Sequence, residues 1–178
     1  MQNTYNSYIT TGINYANNGD LNKAERSFLK AIELDNNNYQ AYINLSNIYI
    51  LQKKIDKCIG FLFNFLSNFK YNEKIANHTG KIFYNYKLNE ELEQLFKITN
   101  LDNINKAANK KYLFFIQGKY NERNSSFEIS KKAYLKSIQS DKFFFNSYDR
   151  LLNLYEKSNE IKKLKELIKK GIKIFEDN

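Results

Sequence analysis

The 178-residue sequence predicts an all-α protein built from similar helix pairs, and three observations lead to that prediction. The chain contains no proline, the residue that most often interrupts helices. Apolar residues recur at spacings of three and four, as at Tyr42, Leu45 and Tyr49, which places them on one helix face. Small residues recur 34 positions apart, at Gly12, Ser46 and Gly80.

The first helix pair is the most clearly marked. An aromatic, a small residue, an aromatic, a turn glycine, an alanine, an aromatic and an alanine follow in order at Tyr8, Gly12, Tyr15, Gly19, Ala24, Phe28 and Ala31. This spacing resembles the tetratricopeptide repeat, a helix–turn–helix unit of 34 residues. The resemblance implies a right-handed superhelical solenoid of about five helix–turn–helix units, because no unit buries its apolar face alone.

The same register continues along the chain. Repeat 2 has Tyr42, Leu45, Ser46, Tyr49, Cys58, Leu62 and Phe65, and repeat 3 has Ala76, Gly80, Phe83, Leu92 and Phe96. After a four-residue slip, expected within residues 100–105, repeat 4 has Phe114, Gly118, Ser130, Tyr134 and Ser137. Repeat 5 has Tyr148, Leu151, Tyr155, Leu164, Ile168 and Gly171. The predicted units are 5–38, 39–72, 73–104, 111–144 and 145–178, which form one repeat domain over residues 1–178.

Local signals predict where particular helices begin and end. Asn18-Gly19-Asp20 predicts a turn followed by a capping carboxylate, and the asparagines at 36–38 predict the end of the second helix. Asn121 stands where repeat 4 should carry an aromatic, so its first helix is expected to shift by one residue and use Tyr120. The last helix, about residues 160–175, carries six lysines and is expected to end the array with a polar outer face. A patch for an anionic partner is the alternative.

The net charge of +9 comes from 25 Lys and only 3 Arg, beside 27 Asn. Lys, Asn, Ile, Tyr and Phe have codons rich in A and T, so a biased genome explains much of this basicity. The lysines are dispersed over both halves of the chain, which favours a solvated surface. No apolar run approaches the roughly 20 residues that cross a bilayer, and no signal peptide is recognised. We therefore expect a cytoplasmic protein.

Residue types that carry chemistry are scarce. Cys58 occupies a small-residue packing position, so a buried and unreactive thiol is expected. His78 is the single histidine, and one histidine does not make a metal site. The sequence has no phosphate-binding glycine loop. These observations predict neither an enzyme nor a cofactor.

The resemblance implies that the first helices line a concave groove, which binds a peptide or a segment of a partner protein. The groove positions are Ile9, Ile13, Gln40, Ile43, Asn44, Asn47, Lys74, Asn77, His78, Lys81, Phe115 and Lys119. Asparagine side chains both donate to and accept from a peptide backbone, and isoleucine or phenylalanine side chains, Ile116 included, hold apolar anchors. Only Asn44 and Lys74 match the five residues with which relatives grip chaperone C-termini, so that specialised activity is not expected.

Three functions remain open at this point. The first is a scaffold or adaptor that binds a protein segment in the groove. The second is a basic helical repeat that binds RNA or another polyanion, motivated by the charge together with 14 Tyr and 14 Phe. Most of the repeat tyrosines are needed for packing, which argues against it. The third is a structural or self-associating subunit.

Overall fold

The computed structural model describes residues 2–69, 72–100 and 110–176, and these residues contain ten helices and no strand. The helices are α1 (Gln2–Asn17), α2 (Leu21–Leu34), α3 (Tyr39–Leu51), α4 (Ile55–Asn68), α5 (Glu73–Asn85), α6 (Asn89–Ile98), α7 (Lys111–Arg123), α8 (Phe127–Ser140), α9 (Phe145–Lys157) and α10 (Ile161–Glu176). They form five helix pairs, so the predicted fold class is confirmed. Of the helices described, none is both long enough and apolar enough to cross a membrane.

Contacts between Cα atoms divide the chain into two compact units. The N-terminal unit is Met1–Thr79 and the C-terminal unit is Gly80–Asn178. The boundary falls inside α5, so the third helix pair contributes residues to both units. A single repeat domain over residues 1–178 stays a prediction.

The turn inside each helix pair has the same geometry in all five repeats. One residue has a positive φ: Gly19 (80°), Lys53 (60°), Lys87 (57°), Ser125 (59°) and Asn159 (56°). The N–H of the following residue then donates back to the first helix: Asp20 to Tyr15, Lys54 to Tyr49, Leu88 to Phe83, Ser126 to Asn121 and Glu160 to Tyr155, at 2.8–2.9 Å. This bond satisfies a carbonyl that the helix end leaves free. Only the first turn uses glycine, and the other four place an L side chain in the left-handed region.

These turns settle the register of repeat 4. The Asn121 carbonyl accepts the same bond that Tyr15 accepts in repeat 1, so Asn121 keeps the aromatic's position and the expected shift to Tyr120 is wrong. Tyr120 points instead to α6, where its hydroxyl donates to Oε1 of Glu93 at 2.7 Å. Most of the stretch predicted to hold the four-residue slip, residues 101–105, lies outside the described residues.

Helix ends follow the sequence signals in part. α2 ends at Leu34, directly before the asparagine stretch, and Asn38 caps α3 by accepting from the N–H of Gln40 at 3.1 Å. The capping role expected of Asp20 is wrong, since its side chain makes no capping bond. Its Oδ2 accepts from Nζ of Lys23 at 3.0 Å instead.

Small residues let the two helices of a pair approach closely. A Cβ added to Gly12 would lie 2.5 Å from Cε1 of Phe28, and one added to Gly118 would lie 2.3 Å from Cε1 of Tyr134. Both distances are far shorter than van der Waals contact, so these positions require glycine. The matching positions in repeats 1 and 4 show that the same packing recurs after the slip.

Cys58 belongs to the core, as predicted. Its side chain is fully buried, and its Sγ donates to the Ser46 carbonyl at 3.7 Å. Ser130 repeats this contact in repeat 4, donating to the Gly118 carbonyl at 2.8 Å. Burial raises the pKa of the Cys58 thiol to about 11, which keeps it protonated and unreactive at neutral pH.

The last helix differs from the expected polar cap. Leu167 is buried against the core of the C-terminal unit, and most of the lysines are exposed. Four apolar side chains are exposed as well: Ile161, Ile168, Ile172 and Phe175. The prediction of a polar outer face is therefore wrong in part, because one edge of α10 is apolar and has no covering element among the described residues.

Candidate protein-binding surfaces

The predicted groove residues of repeats 2 and 3 form one surface on the N-terminal unit, which we call the amide face. It consists of Gln40, Ile43, Asn44 and Asn47 on α3 and Asn77 and His78 on α5. Helical spacings of three and four bring these residues to one side of each helix. Gln40 and Asn47 are exposed, and the other four are half-buried.

A hydrogen bond joins α3 to α5 beside this face. Nε2 of His78 lies 2.8 Å from Oγ of Ser46, and that hydroxyl lies 2.7 Å from the carbonyl oxygen of Ile43. Because the single hydroxyl proton is donated to Ile43, Ser46 accepts its other bond from Nε2–H of His78. Ser46 is fully buried, so this bond fixes the orientation of the His78 ring relative to α3.

Two amide atoms of the face are buried and lack a hydrogen-bond partner. They are Nδ2 of Asn44, a donor, and Oδ1 of Asn77, an acceptor. The second amide atom of Asn77, Nδ2, donates to Oε1 of Glu73 at 3.4 Å. An unpaired buried polar group costs about 1–3 kcal/mol, so a partner that supplied a hydrogen bond to either atom would offset that cost.

The other predicted residues of the N-terminal unit have different surroundings. Ile9 is only 8% exposed and belongs to the core, whereas Ile13 is 39% exposed. Ile13 is therefore the residue of this α1 pair that a partner could contact. Lys74 is exposed, and its Nζ donates to the hydroxyl of Tyr39 at 2.7 Å.

The predicted groove residues Lys81, Phe115 and Lys119 form a second surface together with two tyrosines of the C-terminal unit, and we call it the cation–aromatic face. It consists of Lys81 and Tyr84 on α5 and Tyr112, Phe115 and Lys119 on α7. Nζ of Lys81 lies 5.8 Å from the ring centroid of Tyr112. Nζ of Lys119 lies 4.3 Å from the ring centroid of Tyr84 and 5.9 Å from that of Phe115. Each ammonium group is thus close enough to a ring for a cation–π interaction.

A buried phenylalanine packs against two of the rings of this face. Phe144 is buried, and its ring centroid lies 4.9 Å from that of Tyr112 and 5.4 Å from that of Phe115. Ile116, expected to hold an apolar anchor, is 5% exposed, and its Cδ1 would lie 3.0 Å from a Cβ at Gly80. Ile116 is therefore a core residue that fills the space beside Gly80.

The surroundings of Lys119 destabilise its charged form. Burial lowers the pKa of its ammonium group, and the neighbouring positive charge of Arg150 lowers it further. A negative charge placed beside Lys119 would stabilise the ammonium form and so oppose both effects. The face is therefore suited to a carboxylate, whereas the amide face carries no charged side chain apart from the titratable ring of His78.

Tyr84 is the member of this face that the repeat pattern did not reveal. It does not occupy a packing position of the repeat, and its role becomes visible only when α5 and α7 are placed side by side. Arg123 also lies over its ring, at 4.6 Å from the centroid, and donates to the Tyr84 carbonyl at 3.0 Å. In the part of the chain that the structure describes, no three His, Cys, Asp or Glu side chains group as metal ligands would.

Comparison with known proteins agrees with the repeat geometry. Two family models of the tetratricopeptide repeat match the sequence, one over residues 5–38 and the other over residues 27–60. No curated protein sequence matches the chain.

Solved structures share the fold at low identity. The chain is similar to pilF of Pseudomonas aeruginosa, with a TM-score of 0.70, 17% identity, and coverage of 97% of this chain and 77% of that chain. A tetratricopeptide repeat protein of Parabacteroides merdae gives a TM-score of 0.65 at 15% identity, over 97% of this chain and 67% of that chain. PilW, a type IV pilus biogenesis factor, gives a TM-score of 0.60 at 19% identity, over 97% of this chain and 78% of that chain.

The same turn bond recurs in all five helix pairs, as expected of a repeat protein. Matches to the family models cover the first helix pairs, and the likeness of fold extends over nearly the whole chain. Residues 5–60 thus carry tetratricopeptide repeats, and the whole described chain has the fold of tetratricopeptide-repeat proteins, a helical-repeat scaffold of the kind that supports protein–protein interaction.

Proposed function

We propose that the chain binds an extended segment of a partner protein through the first-helix faces of its repeats. Each face would act within its own unit: the amide face would bind backbone groups, and the cation–aromatic face would bind acidic or aromatic side chains. The protein would act by presenting these surfaces, without catalysis and without a cofactor.

One observation carries this proposal: the unpartnered amide atoms of Asn44 and Asn77. A peptide bond has one acceptor and one donor, the complement of Nδ2 of Asn44 and Oδ1 of Asn77. Both residues are half-buried, so part of each side chain lies at the surface where a partner's backbone would bind. Contacts to backbone atoms tolerate many sequences, which suits a scaffold.

RNA or another polyanion is the second candidate, because the cation–aromatic face places lysines beside aromatic rings. However, those lysines lie over the ring faces on which bases would stack. The Phe144 ring also packs at a steep angle to the rings of Tyr112 and Phe115, which leaves less of their surface open to a base. The arrangement therefore favours carboxylates and side chains over nucleotides.

The test uses a displayed library of short random peptides as the probe. Peptides selected by the wild-type protein are measured against a variant carrying Asn44→Ala and Asn77→Ala. Two lost hydrogen bonds of about 0.5–1.5 kcal/mol each predict a loss of affinity of about tenfold. The variant should melt no lower than the wild type, because it removes two unpaired polar groups and adds alanine to two helices.

Asn64→Ala is the matched control, since Asn64 is an exposed asparagine on the second helix of repeat 2. It should leave peptide affinity unchanged. Equal binding of the selected peptides by the wild type and by the Asn44→Ala, Asn77→Ala variant would contradict the proposal. Binding of homopolymeric RNA that falls steeply with salt would establish the second candidate.

A further inference from the structure

The C-terminal unit also has an apolar surface that shares no residue with the cation–aromatic face. It is a cleft of about 350 Å³ between α9 and α10. Its apolar lining includes Phe145, Tyr148, Ile168, Gly171, Ile172 and Phe175, and Glu176 is the one charged residue that lines it. Phe145 is 62% exposed and Ile172 is 49% exposed, and no described helix covers them. Exposed apolar side chains grouped in one cleft are typical of an interaction site.

The equivalent surface of the preceding repeat, on α8, is covered by a helix. Tyr134, Ser137 and Ile138 on α8 stand one repeat before Ile168, Gly171 and Ile172 on α10. All three α8 residues are buried: the Tyr134 ring packs on Gly118 of α7, and α9 packs beside Tyr134 and Ile138, with Ser147 Oγ donating to Ser137 Oγ at 2.7 Å. α10 repeats the face that α8 presents to α9, and no helix among the described residues packs on it.

Gly171 leaves room for a close helix. The nearest atom to a Cβ added at Gly171 is Cδ1 of Tyr148, at 3.9 Å. This contrasts with Gly12 and Gly118, whose Cβ positions are already filled by aromatic rings. The small side of α10 thus faces open space in the cleft, at the position where Ser137 meets α9.

The charge beside the cleft specifies the occupant further. α10 carries six lysines and two glutamates. Lys165 follows Ile161 by four residues and Lys169 precedes Ile172 by three, so both border the exposed apolar row. Glu176 lies on the same side of α10, so a helix in the cleft would meet two ammonium groups and one carboxylate along this edge, which is positive on balance.

We propose that this cleft binds an amphipathic helix of a partner protein, with an apolar face like that of α9 and glutamates or aspartates along its border. Self-association through the same cleft would bring the lysines of two α10 helices together, which electrostatic repulsion opposes. A membrane surface fits less well, because the apolar side chains line a recess between two helices and do not form a convex face. The proposal does not depend on the amide face.

The probe is a synthetic helical peptide whose apolar face copies that of α9 and whose remaining positions are rich in glutamate. A second peptide carries the same apolar face with lysines in place of the glutamates. The acidic peptide should bind the full chain, as measured by fluorescence anisotropy, and the lysine peptide should bind at least tenfold more weakly.

Gly171→Leu fills the seat and should lower the affinity for the acidic peptide at least tenfold. Gly60→Leu is the matched control, because Gly60 is a helical glycine with no atom within 4 Å of its Cβ position and lies on α4. It should leave the affinity unchanged. Lys165→Glu with Lys169→Glu should reverse the preference between the two peptides.

Four results would overturn the proposal. The first is that the acidic peptide does not bind, and the second is that the Gly171→Leu variant binds it as tightly as the Gly60→Leu variant. The third is a concentration-dependent mass in light scattering that Gly171→Leu abolishes, which would assign the cleft to a second copy of the chain. The fourth is co-sedimentation of the wild type with vesicles of anionic phospholipid in competition with the acidic peptide, which would assign the cleft to a membrane surface.

Discussion

The amide face and the cation–aromatic face occupy equivalent repeat positions and have opposite chemistry. On α3 and the first half of α5, half-buried asparagines leave a donor and an acceptor unpaired. On the second half of α5 and on α7, lysines lie over aromatic rings. The scaffold beneath is the same, since every helix pair uses the same turn bond.

This difference separates two kinds of position in the repeat. The packing positions of Gly12 and Gly118 keep the same residue in both units, because an aromatic ring fills the space beside each. The exposed and half-buried positions on the first-helix faces differ between the units. The binding chemistry of this scaffold is therefore a property of each face, and substitutions can test each face separately.

The largest expected effect comes from the packing glycines, one in each unit. Gly12→Ala and Gly118→Ala each place a Cβ within 2.5 Å of a buried ring, which the core must shift to accept. Overpacking of this kind destabilises by about 1–3 kcal/mol. Calorimetry should show a lower melting temperature for each variant, with a single transition if residues 1–178 form one domain. Two transitions, each lowered by only one substitution, would contradict the single-domain prediction.

The next effect distinguishes the two faces by their response to salt. Lys81→Ala with Lys119→Ala should weaken binding of an acidic peptide about tenfold at low salt. That loss should shrink at about 1 M salt, where the screening length is about 3 Å. The loss caused by Asn44→Ala with Asn77→Ala should persist there, because those hydrogen bonds involve no charge on the protein side. Titrations at two salt concentrations make the comparison, and an equal salt response of both variants would remove the distinction between the faces.

A smaller effect of opposite sign is expected at two helical glycines that face open space. Gly60→Ala in the N-terminal unit and Gly171→Ala in the C-terminal unit meet no atom closer than 3.9 Å. Alanine reduces the entropy of the unfolded chain, so each should stabilise by about 0.5–1 kcal/mol. Chemical denaturation measures this directly. Destabilisation by Gly171→Ala would show that the cleft between α9 and α10 is more tightly packed than described.

The smallest effect is a pH dependence of two carboxylates that link neighbouring repeats. Hydrogen bonds from Lys131, Lys163 and Ser158 lower the pKa of Glu160 from 4.5 to about 2. Burial raises the pKa of Glu25, but hydrogen bonds from Lys57, Gln52 and Lys54 outweigh it and lower that pKa as well.

Since folding lowers these pKa values, their stabilisation is complete above the unfolded value and is lost as pH falls toward the folded one. Glu160→Gln should therefore melt below the wild type at pH 7, with the difference disappearing between pH 4.5 and about 2. Glu25→Gln should also melt below the wild type at pH 7, and this difference should disappear over a narrower pH range, because the pKa of Glu25 is lowered less. Melting curves against pH measure both, and a difference that persists below pH 2 would contradict this explanation.

The sequence predicts the packing part of this molecule because packing restricts residue type. Gly12, Cys58 and Tyr134 could each be assigned from spacing, since a helix pair tolerates only small residues opposite aromatic rings. The turns were less predictable. Lys53 and Lys87 adopt positive φ values that their residue type does not favour, and the backbone bond of each turn imposes them.

For the candidate faces, the sequence predicted which positions lie on the first helices, but not which of those side chains are exposed or unpaired. Whether Ile9 is a surface anchor or a core residue depends on how α1 packs, and spacing alone does not distinguish the two. Tyr84 and the apolar edge of α10 became visible only from the placement of neighbouring helices. The unpaired amide atoms of Asn44 and Asn77 depend on side-chain orientation, which no sequence pattern specifies.

Site-specific photo-cross-linking tests the central claim most directly. A benzophenone side chain replaces Asn47, which is exposed on the amide face, or Asn64, which is exposed on α4, and the protein is irradiated in native extract. The account predicts discrete protein adducts from position 47 that survive nuclease treatment and are absent from position 64. Equal adducts from both positions, or adducts at position 47 that nuclease removes, would contradict it.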